Sequence, residues 1–192
     1  MRKAIVFLSI LAGFLSGSLF AQTPEIEWGA KFDIDRDYQY DRIVGQDDEK
    51  IFIIKKEKTK ELGKSNIWLE SISKLTMGIE SSYKLEMPKI HSKKSNFENL
   101  YFIDGKLILF VTVHDQMKKI SSLYMMHIDE DGITKGEPQM LTFMALIVDH
   151  EAGFKFSLTS DKKFVIVHYH IMFSTYTGEP LYFKMINSDL NV

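Results

Sequence analysis

The chain has 192 residues with 24 basic against 26 acidic side chains, so its formal net charge of −2 gives nothing that favours nucleic acid. The complete lack of cysteine excludes disulfides, thiolate metal sites and a lipid anchor on cysteine. With 45% hydrophobic residues, 14 of them Phe, stability has to come from packing, and the length suffices for one domain with a real core.

At the start, Arg2 and Lys3 precede an uncharged apolar stretch from Ala4 to Phe14 and a small-residue tract closing on Leu19-Phe20-Ala21. That order of segments reads as a secretory signal peptide over residues 1–21, which implies export to the periplasm or the cell exterior. The apolar run falls short of the ~20 residues that span a bilayer, and no later stretch approaches that length. No membrane span is therefore expected after signal removal.

Residues 22–192 form the expected domain, and its mark is a repeat. Ile26 to Ala30, with Trp28, reads as a short leading strand. Three copies of one pattern follow, over approximately 38–88, 95–144 and 152–192. Each has a polar turn (Asp48-Glu49-Lys50, Asp104-Gly105-Lys106, Asp161-Lys162-Lys163), then an apolar run (Ile51 to Ile54, Leu107 to Val113, Phe164 to Val167). Each then has a strand phrase with a large aromatic at the same place: Trp68, Tyr124 and Tyr182. The turns recur at 56 and 57 residues and the strand phrase at 56 and 58, a period that belongs to repeat architectures in which each unit is one small sheet.

The elements within a unit read as strands. Phe97, Asn99, Tyr101 and Ile103 alternate with polar or smaller neighbours, as do Phe154, Phe156 and Leu158, giving half-buried strands of period two. The continuous runs suit central strands covered on both faces. Asp129-Glu130-Asp131-Gly132 is a hairpin turn whose glycine can take positive φ. The fourth strand is expected at Tyr83-Leu85-Met87 in the first unit and from Met140 to Phe143 in the second. The third unit stops at Val192 before its own fourth strand is complete, and no helix is expected after the signal segment.

The Asp104-Gly105-Lys106 turn before an apolar strand, and the strand Leu123-Tyr124-Met125-Met126-His127-Ile128 ending at Asp129-Glu130-Asp131-Gly132, resemble the TolB-type, WD40-like propeller repeat. That resemblance implies an all-β fold of about three four-stranded antiparallel blades of a β-propeller, incomplete or open. It implies little about function.

Meander connections separate two ends by length, since the second-to-third and unit-to-unit loops are long while the others are tight turns. Variable loops on a rigid scaffold are where binding normally sits. The long-loop end is rich in lysine and histidine, and the ligand-binding candidates there are Lys89, His91, Lys93, Lys94, His114, His150, His168 and His170. His168 and His170 flank Tyr169 at a spacing a metal can use, but no loop supplies further ligands at a recognised spacing, so no metal and no cofactor is expected. Asp33-Ile34-Asp35-Arg36-Asp37 opens like a calcium loop and fails it, with Tyr38 at the sixth position and Val44 at the twelfth. Neither Ser160-Asp161-Lys162-Lys163 nor Ser71-Ile72-Ser73-Lys74 has a helix to present its serine. No catalytic residue is singled out. The expected function is an exported, non-catalytic propeller module that binds a protein or an anionic surface glycan, with self-association through uncovered sheet faces. A propeller-type hydrolase of carbohydrate or peptide with its catalytic residues elsewhere, and a structural component of an envelope complex, remain open as alternatives.

Overall fold

The computed structural model describes residues 35–58, 66–145, 153–170 and 181–192. The signal segment and the leading strand expected at Ile26 to Ala30 lie outside the described residues. Every regular element among them is a strand, and none is a helix long and apolar enough to cross a membrane.

The protein is all-β, built from several small antiparallel sheets. The first has strands β1 (Tyr38–Gln46), β2 (Lys50–Glu57), β3 (Ile67–Ser73) and β4 (Ile79–Lys84) in sequential order. A two-stranded hairpin, β5 (Lys89–Ile90) and β6 (Lys93–Lys94), precedes the second sheet. That sheet is β7 (Asn96–Ile103), β8 (Lys106–Asp115), β9 (Ile120–Ile128) and β10 (Thr134–Ala145), again a meander. The third sheet is β11 (Lys155–Leu158), β12 (Val165–His170) and β13 (Leu181–Ile186).

Alternation along β8 explains how the sheets stack. Leu107, Leu109 and Val111 share one buried cluster with Phe52, Ile54 and Leu69 of the first sheet. Ile108 and Phe110 point the other way and share a second cluster with Val165, Val167 and Tyr169 of the third. The second sheet is therefore the middle layer, and its central strand is apolar from Leu107 to Val111 because both of its faces are covered there. Aromatic contacts hold the layers together: Phe52 stacks on Phe102 at 4.9 Å, and Phe110 meets Phe156 at 5.2 Å between ring centroids. The first strands also approach closely, since a Cβ added to Gly45 of β1 would lie 2.6 Å from the Phe102 Cβ of β7. Glycine is required there by space, and the bulge at Val44, between Ile43 and Gly45, sets the approach.

Strand pairing fixes which positions are equivalent. Trp68 lies opposite Lys55, Tyr124 opposite Val111 and Tyr182 opposite Tyr169. The three aromatics thus hold one place in their sheets. The third sheet departs from the spacing of the turns: Phe164 precedes β12, and its second strand matches β8 at 58 residues, not 57. The extra residue is absorbed in the turn, where Lys162 takes φ +57° and the Thr159 N–H donates to the Phe164 carbonyl at 3.0 Å. A one-residue slip would have turned Val165 and Val167 to the wrong face. The fourth strand of the first sheet also differs from expectation, because β4 ends at Lys84. Leu85 leaves it to pack beneath Gly132 of the second sheet, whose φ of +77° and lack of Cβ make room.

The turns after the third strands share one chemistry. In the second sheet the Asp129 carboxylate accepts the N–H groups of Asp131 at 3.1 Å and Ile133 at 2.8 Å. In the third, the Asn187 amide oxygen accepts those of Asp189 and Asn191, both at 3.0 Å. Leu190 stands where Gly132 does, at φ +62°, a conformation unfavourable for leucine and held here by burial of its side chain.

Candidate functional site

The long-loop end is organised by the β5–β6 hairpin. His91 and Ser92 form its turn with φ of +50° and +63°, the left-handed pair that a two-residue hairpin needs. Ile90 anchors it by burial, and Ser95 Oγ donates to the Pro88 carbonyl at 2.6 Å. Lys93 Nζ reaches the Asp115 carboxylate at 2.8 Å, tying the hairpin to the turn after β8. The His91 ring lies 6.4 Å from the Tyr124 ring. This frame leaves Lys89, His91 and Lys94 exposed on one small projection, beside exposed His114 at the end of β8.

Charge at this end is partly neutralised. Lys93, through its hydrogen bond, and the Lys118 N–H hold the Asp115 carboxyl below the usual carboxylate range. Lys56 pairs with Asp41 at 3.1 Å, and Lys55 turns away to Glu70. The lysine-rich loops therefore present fewer free cations than their composition suggests.

Two bulged carboxylates line the first strands in equivalent places. Asp41 sits in the β1 bulge and Glu98 in the β7 bulge, 57 residues on. Each carboxylate is met from the second strand, Asp41 by Lys56 and Glu98 by Thr112 Oγ1, which donates at 2.7 Å. The replacement of an ammonium by a hydroxyl matters for Glu98. Burial pushes its carboxyl up, against the lowering influences of Thr112 and nearby His114. Since the folded state resists its ionisation, the stability Glu98 contributes is present below the ordinary value of 4.5 and is lost as pH rises through the folded value. Glu98→Gln is accordingly expected to melt higher than wild type at pH 7, with the difference gone below pH 4.5, as checked by thermal unfolding at both values.

His168 lies on the third sheet with its ring 6.0 Å from Phe183. His150 and the side chain of His170 fall outside the described residues. Among the described residues, no set of three or more His, Asp or Glu is placed to hold a metal ion.

Sequence reasoning missed a second cluster. Glu70, in the middle of β3 and 1% exposed, accepts hydrogen bonds from Tyr40 Oη at 2.9 Å, Ser82 Oγ at 2.8 Å and Lys55 Nζ. Burial, then the bond to Glu70, raises the Tyr40 phenol to about 12. Beside it, Tyr38 meets Trp68 edge-on at 5.1 Å, and Lys84 lies 5.9 Å over the Trp68 ring. The signal was a lone acid within an apolar strand. A cleft of about 270 Å³ lies at the opposite, tight-turn end, lined by Phe102, Lys106, Leu107, His127 and Asp129, away from both groups. Comparison with family models, with curated proteins and with solved structures gives no match in any of the three.

Proposed function

We propose that this chain is an exported, non-catalytic binding module of the β-propeller type, its sheets serving as consecutive blades of an open or incomplete ring. Its long-loop end holds an acidic protein or an anionic glycan. The blade reading is supported by the back-to-front stacking of equivalent faces, and export by the order of basic, apolar and small residues over 1–21.

The observation that carries the binding reading is the β5–β6 hairpin. A structure of six residues is held by an ion pair, a buried Ile90 and a serine bond, and what it projects is Lys89, His91 and Lys94. Solvated lysines on a rigid projection attract anions through a field screened over about 8 Å at physiological salt.

Lys89→Glu combined with Lys94→Glu tests this and leaves the Lys93–Asp115 pair intact. Wild type is expected to be retained on an immobilised anionic polysaccharide at low salt and released as salt rises. The double variant, with an unchanged melting temperature, is expected to bind roughly tenfold more weakly, the ~1.4 kcal/mol that two charge reversals in a screened surface field can supply. Equal retention of the two proteins, or retention indifferent to salt, overturns the reading.

A further inference from the structure

Arginine is scarce in this chain. Of its 24 basic residues only Arg2, Arg36 and Arg42 are arginines, so lysine serves wherever a solvated positive charge suffices. Arg42 is the one set within a described strand, beside the β1 bulge and paired with Ile54 of β2. Opposite residues of an antiparallel pair share a face. Arg42 therefore lies on the face that Phe52 and Ile54 press against the second sheet, at the margin where β1 approaches β7.

Its guanidinium is turned inward without a partner. Nε and Nη2 are both shut off from solvent, and neither has a hydrogen-bond acceptor among the described residues. Buried N–H groups of this kind are costly and rare. These two nitrogens form one edge of the guanidinium, whose parallel N–H groups match the two oxygens of a carboxylate. The neighbouring acid does not supply them. One Asp41 oxygen is 3.9 Å from Nε, beyond hydrogen-bond reach, and the other is 3.1 Å from Lys56 Nζ. Tyr101 of β7 lies within electrostatic reach, since the Arg42 charge lowers its phenol against the larger raising effect of burial. It adds a donor: its oxygen accepts from Asn99 Nδ2 at 3.3 Å, and its own proton has no acceptor among the described residues.

We propose that Arg42 anchors a second binding site, in which its Nε–Nη2 edge takes the carboxylate of a ligand at the margin between β1 and β7. The side chain is 35% exposed, so one flank stands in water and the edge can turn outward to an arriving group. Two N–H groups then gain the acceptors they lack, in a bidentate, charge-assisted bond. Asp41 sets the charge of the ligand. A carboxylate brings one negative charge beside it, whereas a phosphate monoester brings nearly two and is repelled more strongly. Opening the margin costs packing contacts, so a lone carboxylate binds weakly, with half-saturation on the order of 20 mM. The site shares no residue with the β5–β6 hairpin and does not depend on what that hairpin holds.

The scarcity of arginine makes the site directly readable by side-chain NMR, with exposed Arg36 as an internal control. Sodium acetate is raised to about 200 mM while chloride holds the ionic strength constant, so that screening does not change. The Arg42 Nε–H resonance is expected to move along a saturating curve and that of Arg36 to move far less. The melting temperature of the wild type should rise by about 3–5 °C over the same series. Arg42→Lys keeps the charge and loses the edge, and should lose most of that rise. Inorganic phosphate should move the Arg42 resonance less than acetate does. Glucuronate and acetylglycine present the same group on a sugar and on a peptide, and at least one should half-saturate below acetate, which identifies the carrier. An Arg42 resonance that moves linearly, or no further than that of Arg36, overturns the proposal even if Arg42→Lys fails to fold. An equal rise in melting temperature for wild type and a folded Arg42→Lys overturns it too. Phosphate acting as strongly as acetate overturns the choice of carboxylate, and two carriers that both bind no better than acetate mean an adventitious ion only.

Discussion

Truncation of Phe110 to alanine is expected to cost about 3–5 kcal/mol, the range for deleting a fully buried phenylalanine from a packed core. Phe110 is 0% exposed in the middle of β8, and its ring meets Phe156 at 5.2 Å and Tyr101 at 6.3 Å. The first contact joins the second sheet to the third, and Tyr101, on β7 of the second sheet, lies 6.5 Å from the same Phe156 ring. The third sheet has only three described strands, so it has little of its own to replace what the cavity removes. Urea unfolding measures the total, and hydrogen exchange should locate it, with protection at Val165 to Tyr169 falling further than at Phe52 to Ile54. Met117→Ala, at a side chain 92% exposed, should stay within about 0.5 kcal/mol of wild type. A Phe110→Ala loss below about 1 kcal/mol would mean that the second and third sheets do not share this core.

Glu70→Ala is expected to cost about 2–4 kcal/mol, because it strands the partners of a buried ion pair. Tyr40 Oη and Ser82 Oγ lose an acceptor, and the Lys55 ammonium, 20% exposed, loses its counter-charge. Partial access of Lys55 to water keeps the cost from the upper end of the range for such pairs. The repeat supplies the rescue. Fifty-six residues on, the second sheet has Val111 where the first has Lys55 and Met126 where it has Glu70, both buried. Lys55→Val combined with Glu70→Met should therefore recover the part of the loss that comes from the unpaired ammonium, about half, while Tyr40 Oη and Ser82 Oγ still lack their acceptor. Chemical denaturation of the single and double variants checks this. A double variant as unstable as Glu70→Ala would show that the charges do not act as a pair.

Both predictions separate what could be read from the chain from what could not. The continuous run Leu107 to Val113 announced a strand covered on two faces, because only such a strand gains from apolar residues at every position. The recurrence of Trp68, Tyr124 and Tyr182 announced equivalent places for the same reason of packing. The lysines and histidines of the long loops were equally visible as composition. What composition could not convey was pairing: Lys93 with Asp115, Lys56 with Asp41 and Lys55 with Glu70 join residues 15 to 22 positions apart, and their charges cancel in space. The β5–β6 hairpin escaped notice because two-residue strands carry no period. Its turn uses His91 and Ser92 in left-handed conformations that glycine or asparagine would have signalled.

The longer strands, the unit length and the tight turns were legible along the chain, since side-chain alternation and turn chemistry act over a few residues. The 58-residue register of the third sheet, the displacement of Leu85 under Gly132, the burial of Glu70 and the exposure of Phe183 came from packing between sheets. Each of these depends on which sheet lies against which. That is settled by the fit of whole faces distant in the chain, where a single residue in a turn is enough to reverse every side chain beyond it.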